Sequence, residues 1–254
     1  MSAAPSVGWP LAIALLLLVA AAVGAATAGG LPIRRDIVTA SVRAMVQLAV
    51  VSLAIAAVLG SVWWSAAFAL LMFAVAAFTS ARRVDAVHDI GWLSAGLAAG
   101  VLPVLALLFG SGTVPLNGPS LVPTAGIVIG GAMTANTLAG RRAFDDLRHG
   151  LGTYEAALAL GMSRRDAVLE VVCPSSREAL TPVLDQTRTV GLVTLPGAYV
   201  GVLLGGGSPI QAGAAQIMVL VGLLAAETIT VVVLVQLVAL GRVTPRPLRA
   251  QMAA

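Results

Sequence analysis

The chain has 254 residues, of which 59% are hydrophobic and 10% charged. That is less than half the charge of an ordinary soluble domain. Together with unbroken apolar runs such as LAIALLLLVAAAVGAA and ETITVVVLVQLVAL, it excludes a soluble globule and predicts an all-α, polytopic membrane bundle. The net charge of +4 includes fifteen arginines and no lysine, which excludes a G-x-x-x-x-G-K-[ST] phosphate loop and any lysine Schiff base.

Hydropathy predicts seven spans in chain order, at Gly8–Ala28, Val38–Leu59, Val62–Thr79, Gly91–Gly110, Leu121–Leu138, Gln186–Leu204 and Gly213–Leu240. A transmembrane β-barrel is rejected because the runs are continuous rather than alternating. The first segment lacks a basic flank and is too long for a usual signal-peptide core, so it reads as a retained span. Trp9, Trp63, Trp64 and Trp92 fall at span ends, where interfacial tryptophans collect.

The connecting segments fall into two alternating sets. The N-terminal tail, Gly60–Ser61, SGTVPLNGPS and GGGSPI carry no charge, whereas the other connections and the C-terminal tail hold the arginine clusters. By the positive-inside rule the N-terminus lies outside and the C-terminus in the cytoplasm. Lipid orientation therefore accounts for most of the arginine, and nucleic acid is not a predicted partner. No internal repeat or long linker is evident, so residues 1–254 read as one transmembrane domain with a long cytoplasmic loop at 139–180.

That loop contains EAALALGMSRRDAVLEVVCP, Glu155–Pro174. Tyr154–Leu160 reads as one short helix ended by a left-handed Gly161. Ser163 and Asp166 then form an S-x-x-D cap for a second helix that continues to Pro174. Its mixed charge argues against lying on lipid. Packing beneath the bundle and docking into a partner both remain open.

This stretch resembles the EAA loop of ABC-transporter permeases: E-A-A, three residues, G, nine residues, then I-x-L-P, with Val171, Cys173 and Pro174 at the last three fixed positions. The resemblance implies a coupling helix that fits a groove on an ATP-binding subunit. Glu155, Ala156, Ala157 and Gly161 would be the coupling positions, and the adjoining Arg164 and Arg165 would lie in the same contact. A longer block, TVGLVTLPGAYVGVLLGGGSPIQAGAAQIMV, together with VRAMVQLAVV and VPTAGIVIGGAMTA, resembles the FetB-type iron-export permeases, which also include plant STAR/ALS-type aluminium-tolerance membrane subunits. That resemblance covers nearly the whole chain. It implies metal-ion export, iron first, across a bacterial inner membrane by two copies of this chain with two ATPases. ATP-Mg would sit on the partner, and this chain would bind no cofactor. The family often has asparagine at the position of Gly131, whereas this chain has Asn136 five residues later.

Polar residues inside spans are candidates for a pathway or gate. Arg43 and Gln47 share a face of the second span and match the resembled pattern, although Arg43 could simply snorkel. Asp185 and Arg188 form an i, i+3 pair that either stays local or transmits movement from the coupling segment. Glu227 sits mid-span and must face the interior, as a structural hydrogen-bonding group or as a cation or proton site. Asn136, Thr134, Thr137 and Gln216 read mainly as interhelical hydrogen-bonding residues.

The scattered methionines are ordinary gap-fillers. His88 and His149 read as solvated, Cys173 as small and buried, and no metal-ligand set is identified. Gly126 and Gly130 form a small-xxx-small pair that predicts close helix packing, and Pro196–Gly197 predicts a kink. An ion-gradient-driven transporter or channel is the alternative function. An intramembrane enzyme lacks its motifs, and no catalytic residue is predicted.

Overall fold

The computed structural model describes residues 8–252; the uncharged tail at residues 1–7 lies outside them. The chain divides into two compact units, Met1–Val58 and Leu59–Ala254. Among the described residues, six helices are long and apolar enough to cross a membrane.

The first unit holds α1 (Trp9–Ala28) and most of α2 (Arg34–Leu59). The turn between them places Gly30 at φ +68°, in the left-handed region that a residue without Cβ adopts freely. Almost every side chain on α1 is exposed, only Ala26 being buried. A helix apolar on all sides and unburied suits hydrocarbon, where an intact helix already satisfies its own backbone.

The second unit contains α3 (Val62–Arg83), α4 (Ile90–Gly110), α5 (Gly118–His149), α6 (Leu151–Ala159), α7 (Arg164–Ser176), α8 (Thr181–Thr189), α9 (Gly197–Leu204), α10 (Pro209–Ala239) and α11 (Arg246–Gln251). The frame is α3, α4, α5 and α10. Helices α3 and α5 run parallel, with Ser65 beside Gly118, Met72 beside Gly126 and Ser80 beside Asn136. Helices α5 and α10 are also parallel, Gly131 meeting Leu223 and Gly140 meeting Leu234, whereas α4 runs antiparallel to α10.

Glycine sets the crossing of α4 and α10. A Cβ on Gly100 would overlap the Ala226 carbonyl oxygen and the Thr230 hydroxyl, and Gly96, one turn earlier, faces Val233 and Leu237. The small-residue pair that packs helices together is therefore Gly96–Gly100 on α4 rather than the expected Gly126–Gly130. Gly126 does approach the Met72 side chain, but Gly130 has nothing within 4 Å.

Two apolar clusters fill the unit. One joins Ala76, Leu97, Val101, Ala125, Val128 and Ala226. The other joins Phe144, Leu147, Tyr154, Val172, Leu234 and Leu248, and so knits α5, α6, α7, α10 and α11 together.

Three expectations need correction. The sixth span, Gln186–Leu204, is not one helix: α8 stops at Thr189 and α9 begins at Gly197. Pro196 removes a backbone donor and drives Leu195 toward extended geometry, while Gly191 turns the chain at φ +82°. The result is a break rather than a kink. Its backbone is partly satisfied locally, through Gly191 N–H to Thr194 O at 2.9 Å and Val193 N–H to Thr189 O at 3.0 Å. Second, α5 continues unbroken to His149, so the first part of the predicted loop 139–180 is helix. Its inner face buries Ala139, Ala143, Phe144 and Leu147, and its outer face carries an Arg148–Asp145 pair at 2.8 Å. Third, Cys173 is exposed, because its neighbour Val172 takes the buried side of α7.

Candidate functional site

The EAA-like stretch folds into a helix pair whose geometry follows from two local signals. Helix α6 ends in a Schellman motif: Met162 N–H reaches Ala157 O at 3.1 Å, and Gly161 N–H reaches Leu158 O at 2.9 Å. Gly161 closes the turn at φ +87°. Ser163 then caps α7, its hydroxyl accepting from Asp166 N–H at 3.2 Å and donating to the Asp166 carboxylate at 2.6 Å. The expected cap is present, but the Asp166 side chain returns to the serine hydroxyl instead of the cap backbone. Helix α7 also runs through Pro174 to Ser176 rather than stopping there.

One side of the pair is anchored. Tyr154, Ala157, Ala167, Val168 and Val172 are buried, and Val171 packs against Gly150. Arg165 donates to Gln236 on α10 at 2.7 Å, so this arginine is tied to its own bundle. Ser175 hydrogen-bonds Asp146, and Arg142 bridges to Glu178 at 2.8 Å. These tethers from α5 to the end of α7 and the turn after it escape sequence reading, because each joins residues distant in the chain.

The other side is free. Glu155 and Ala156 are exposed, Glu155 has no hydrogen-bond or ion-pair partner among the described residues, and Leu160 is 85% exposed at the tip. Arg164 is also exposed and lines a cavity of about 320 Å³ with Tyr154 and Arg249. Of the predicted coupling positions, Glu155, Ala156 and Arg164 thus form an accessible edge, Gly161 shapes the turn, and Ala157 and Arg165 fasten the pair to the bundle. Gly161→Val should cost about 1–2 kcal/mol, since a β-branched residue resists the left-handed region. The expected result is faster proteolysis confined to residues 155–165 with the remaining helices unchanged, read by limited digestion and circular dichroism.

The polar span residues separate into groups. Arg43 and Gln47 lie exposed on α2 in the first unit. Asn136 is fully buried and donates to Ser80 Oγ at 3.2 Å, which Thr137 also reaches. Gln216 accepts Tyr199 N–H at 3.2 Å, joining α9 to α10. These interhelical hydrogen bonds agree with the sequence reading, whereas Thr134 donates within its own helix, to Gly130 O at 3.0 Å. Asp185 and Arg188 are exposed and pair with each other at 3.5 Å. Glu227 is buried on α10, as expected.

His88 is exposed, as expected, but its ring is also held by contacts. Its Nε2 lies 3.2 Å from Thr244 O and 3.2 Å from the Asp89 carboxylate, which also receives Arg249. It is therefore part of a tether to the C-terminal segment. Among the described residues no group of three or more histidine, cysteine, aspartate or glutamate side chains is placed to hold a metal.

The model of the Uncharacterised protein family (UPF0014) matches residues 9–241. The chain belongs to the UPF0014 family. Within UPF0014 it is 33% identical to the membrane protein STAR2 of Oryza sativa over 221 residues, covering 86% of this chain and 78% of that protein. It is 33% identical to the protein ALUMINUM SENSITIVE 3 of Arabidopsis thaliana over 222 residues, covering 85% and 81%. The probable iron export permease protein FetB of Escherichia coli is 28% identical over 234 residues, covering 88% and 87%. No solved structure matches the chain. UPF0014 membership agrees with the resemblance drawn from the motifs, and the six long apolar helices make this member a multi-pass membrane protein.

Proposed function

We propose that this chain is the membrane-spanning permease subunit of an ABC transporter, moving a metal ion, iron in the exporting direction, across a bacterial inner membrane. A separate ATP-binding subunit docks on Glu155–Pro174, two copies of each chain assemble, and ATP-Mg sits only on the partner. The carrying observation is the helix pair itself. It has an exposed edge, Glu155, Ala156, Arg164 and Leu160, on a base fixed by Tyr154, Val168 and Val172. Such an element suits a partner's groove, because its free side costs nothing to desolvate within the bundle and its fixed side can pass on load. The name of the Escherichia coli relative supports iron and export.

The arginine clusters support the proposed topology, N-terminus outside and C-terminus cytoplasmic, and the parallel α3, α5 and α10 suit an odd number of crossings. The pieces α8 and α9 run back along α10, Gln186 lying near Leu223 and Ala198 near Gln216. Residues 181–204 thus act as a discontinuous seventh crossing between α5 and α10, as broken helices do where they line a cavity. Closure of the ATPases would move α6–α7, and the bundle would exchange between states that bind the transported ion differently.

Glu227 favours a second reading, an ion-gradient-driven transporter or channel. Co-reconstitution into liposomes separates the two. Chain plus ATPase should accumulate Fe²⁺ on one side only with hydrolysable ATP, at least tenfold above the chain alone. Equal rates without nucleotide would establish the second reading instead.

A further inference from the structure

The seam between α5, α8 and α10 contains a buried acid that the coupling element does not use. Glu227 is 7% exposed, and its carboxylate has no hydrogen-bond or ion-pair partner among the described residues. It borders a cavity of about 250 Å³ that Gly131, Thr134 and Gln186 also line. A second cavity, of about 480 Å³, shares Ile127, Gln186 and Leu223 with the first and continues along α10 to Gln216 and the Pro196–Gly197 break. No basic residue lines either one.

Space for the carboxylate is created by its neighbour. A Cβ on Gly131 would lie 2.5 Å from Glu227 Oε1 and would overlap Leu223. The bare helix surface at Gly131 therefore lets the carboxylate lie across α5 at the cavity wall. A carboxylate removed from water and given no protein partner is strongly unfavourable unless a cation or proton joins it.

We propose that this cavity is a binding site for a hard, oxygen-preferring divalent cation, with Glu227 as its charged ligand and Gln186 and Thr134 as neutral oxygen donors. The ligand types decide the class: a carboxylate, an amide and a hydroxyl line the cavity, and no thiolate, thioether or imidazole does. Thr134 already donates to Gly130 O at 3.0 Å, so its oxygen lone pairs remain available to a cation. The volume accommodates an ion that keeps part of a hydration shell, at roughly 30 Å³ per water. One formal charge gives modest affinity, which suits a site that must release its ion. The adjoining cavity, lined by the broken helix, provides the continuing route. This site deepens the permease reading by naming where the transported ion pauses, and so rests on it.

The test uses the purified full chain in nanodiscs, with Mn²⁺ as probe read by the loss of its free electron-paramagnetic-resonance signal. Saturable binding near one Mn²⁺ per chain is expected. Glu227→Gln, equal in shape, should weaken it at least tenfold, and Gln186→Leu by about threefold. Gly131→Ala, which pushes the carboxylate aside, should also weaken it at least fivefold. An unchanged elution profile and melting temperature for Glu227→Gln would show that the loss is not unfolding. Absence of saturable binding up to about 1 mM, or equal binding by wild type and Glu227→Gln, overturns the site. Because the ATPase is absent from this measurement, its failure leaves the coupling assignment standing, and failure of ATP coupling leaves the Mn²⁺ result intact.

Discussion

Gly100→Ala is expected to destabilise the folded chain by about 3 kcal/mol, at the upper end of the usual range for overpacking. An added methyl would overlap the Ala226 carbonyl oxygen, which is backbone and cannot rotate away, as well as the Thr230 hydroxyl. The only relief is to separate α4 from α10, and Leu97, Val101 and Ala226 share one apolar cluster across that interface. The melting temperature in detergent should fall by about 10 °C, with a matching loss of purified yield. Gly91→Ala supplies the contrast. Nothing lies within 4 Å of its Cβ position, and alanine favours helix by up to about 1 kcal/mol, so that variant should melt no lower than wild type. Equal melting of Gly100→Ala and wild type would show that the crossing is looser than described.

Glu155→Arg should act in the opposite way, leaving the chain stable and abolishing its assembly. Glu155 is exposed and unpaired among the described residues, so changes to it should fall within about 0.5 kcal/mol of neutral for folding. Reversing a charge that sits inside a protein interface costs about 2–5 kcal/mol, which is about thirtyfold or more in affinity. The expected outcome is co-purification of the ATP-binding subunit falling by that factor, and permease-stimulated ATP turnover falling with it. Retention of both would remove Glu155–Pro174 as the docking element, whatever the substrate.

The elements that sequence reading located well are those governed by composition over a long window. Five of the seven predicted spans coincide with single long helices within a few residues at each end, and α5 extends beyond its prediction. The Gly161 turn and the Ser163 cap were also legible, because each depends on residues within four positions. What escaped has a common cause. Averaged hydropathy does not register the break at 190–196, since VTLPGAYVGVLL remains apolar while proline and glycine interrupt the hydrogen-bond ladder. It also understates α5, whose continuation past Leu138 has a charged outer face and an alanine-rich inner one.

Contacts between helices were the least visible. Gly96–Gly100 and Gly126–Gly130 carry the same four-residue spacing, and only the identity of the opposing helix makes the first pair the crossing point. Glu227 was recognised as interior from its position alone. The room made for it by Gly131, ninety-six positions earlier in the chain, required the fold. Residue type alone makes Cys173 a buried position, which its neighbour Val172 takes instead, and the contact of His88 with the distant Thr244 has no local signal.

The Arg165–Gln236 hydrogen bond has a mechanical corollary. Gln236 and Glu227 belong to the same uninterrupted helix, nine positions and roughly 13 Å apart at 1.5 Å per residue. This helix of 31 residues has no internal proline, the commonest cause of a kink. Under the proposed coupling, a twist begun at Arg165 would reach the acid along this single rod and turn its side chain past Gly131.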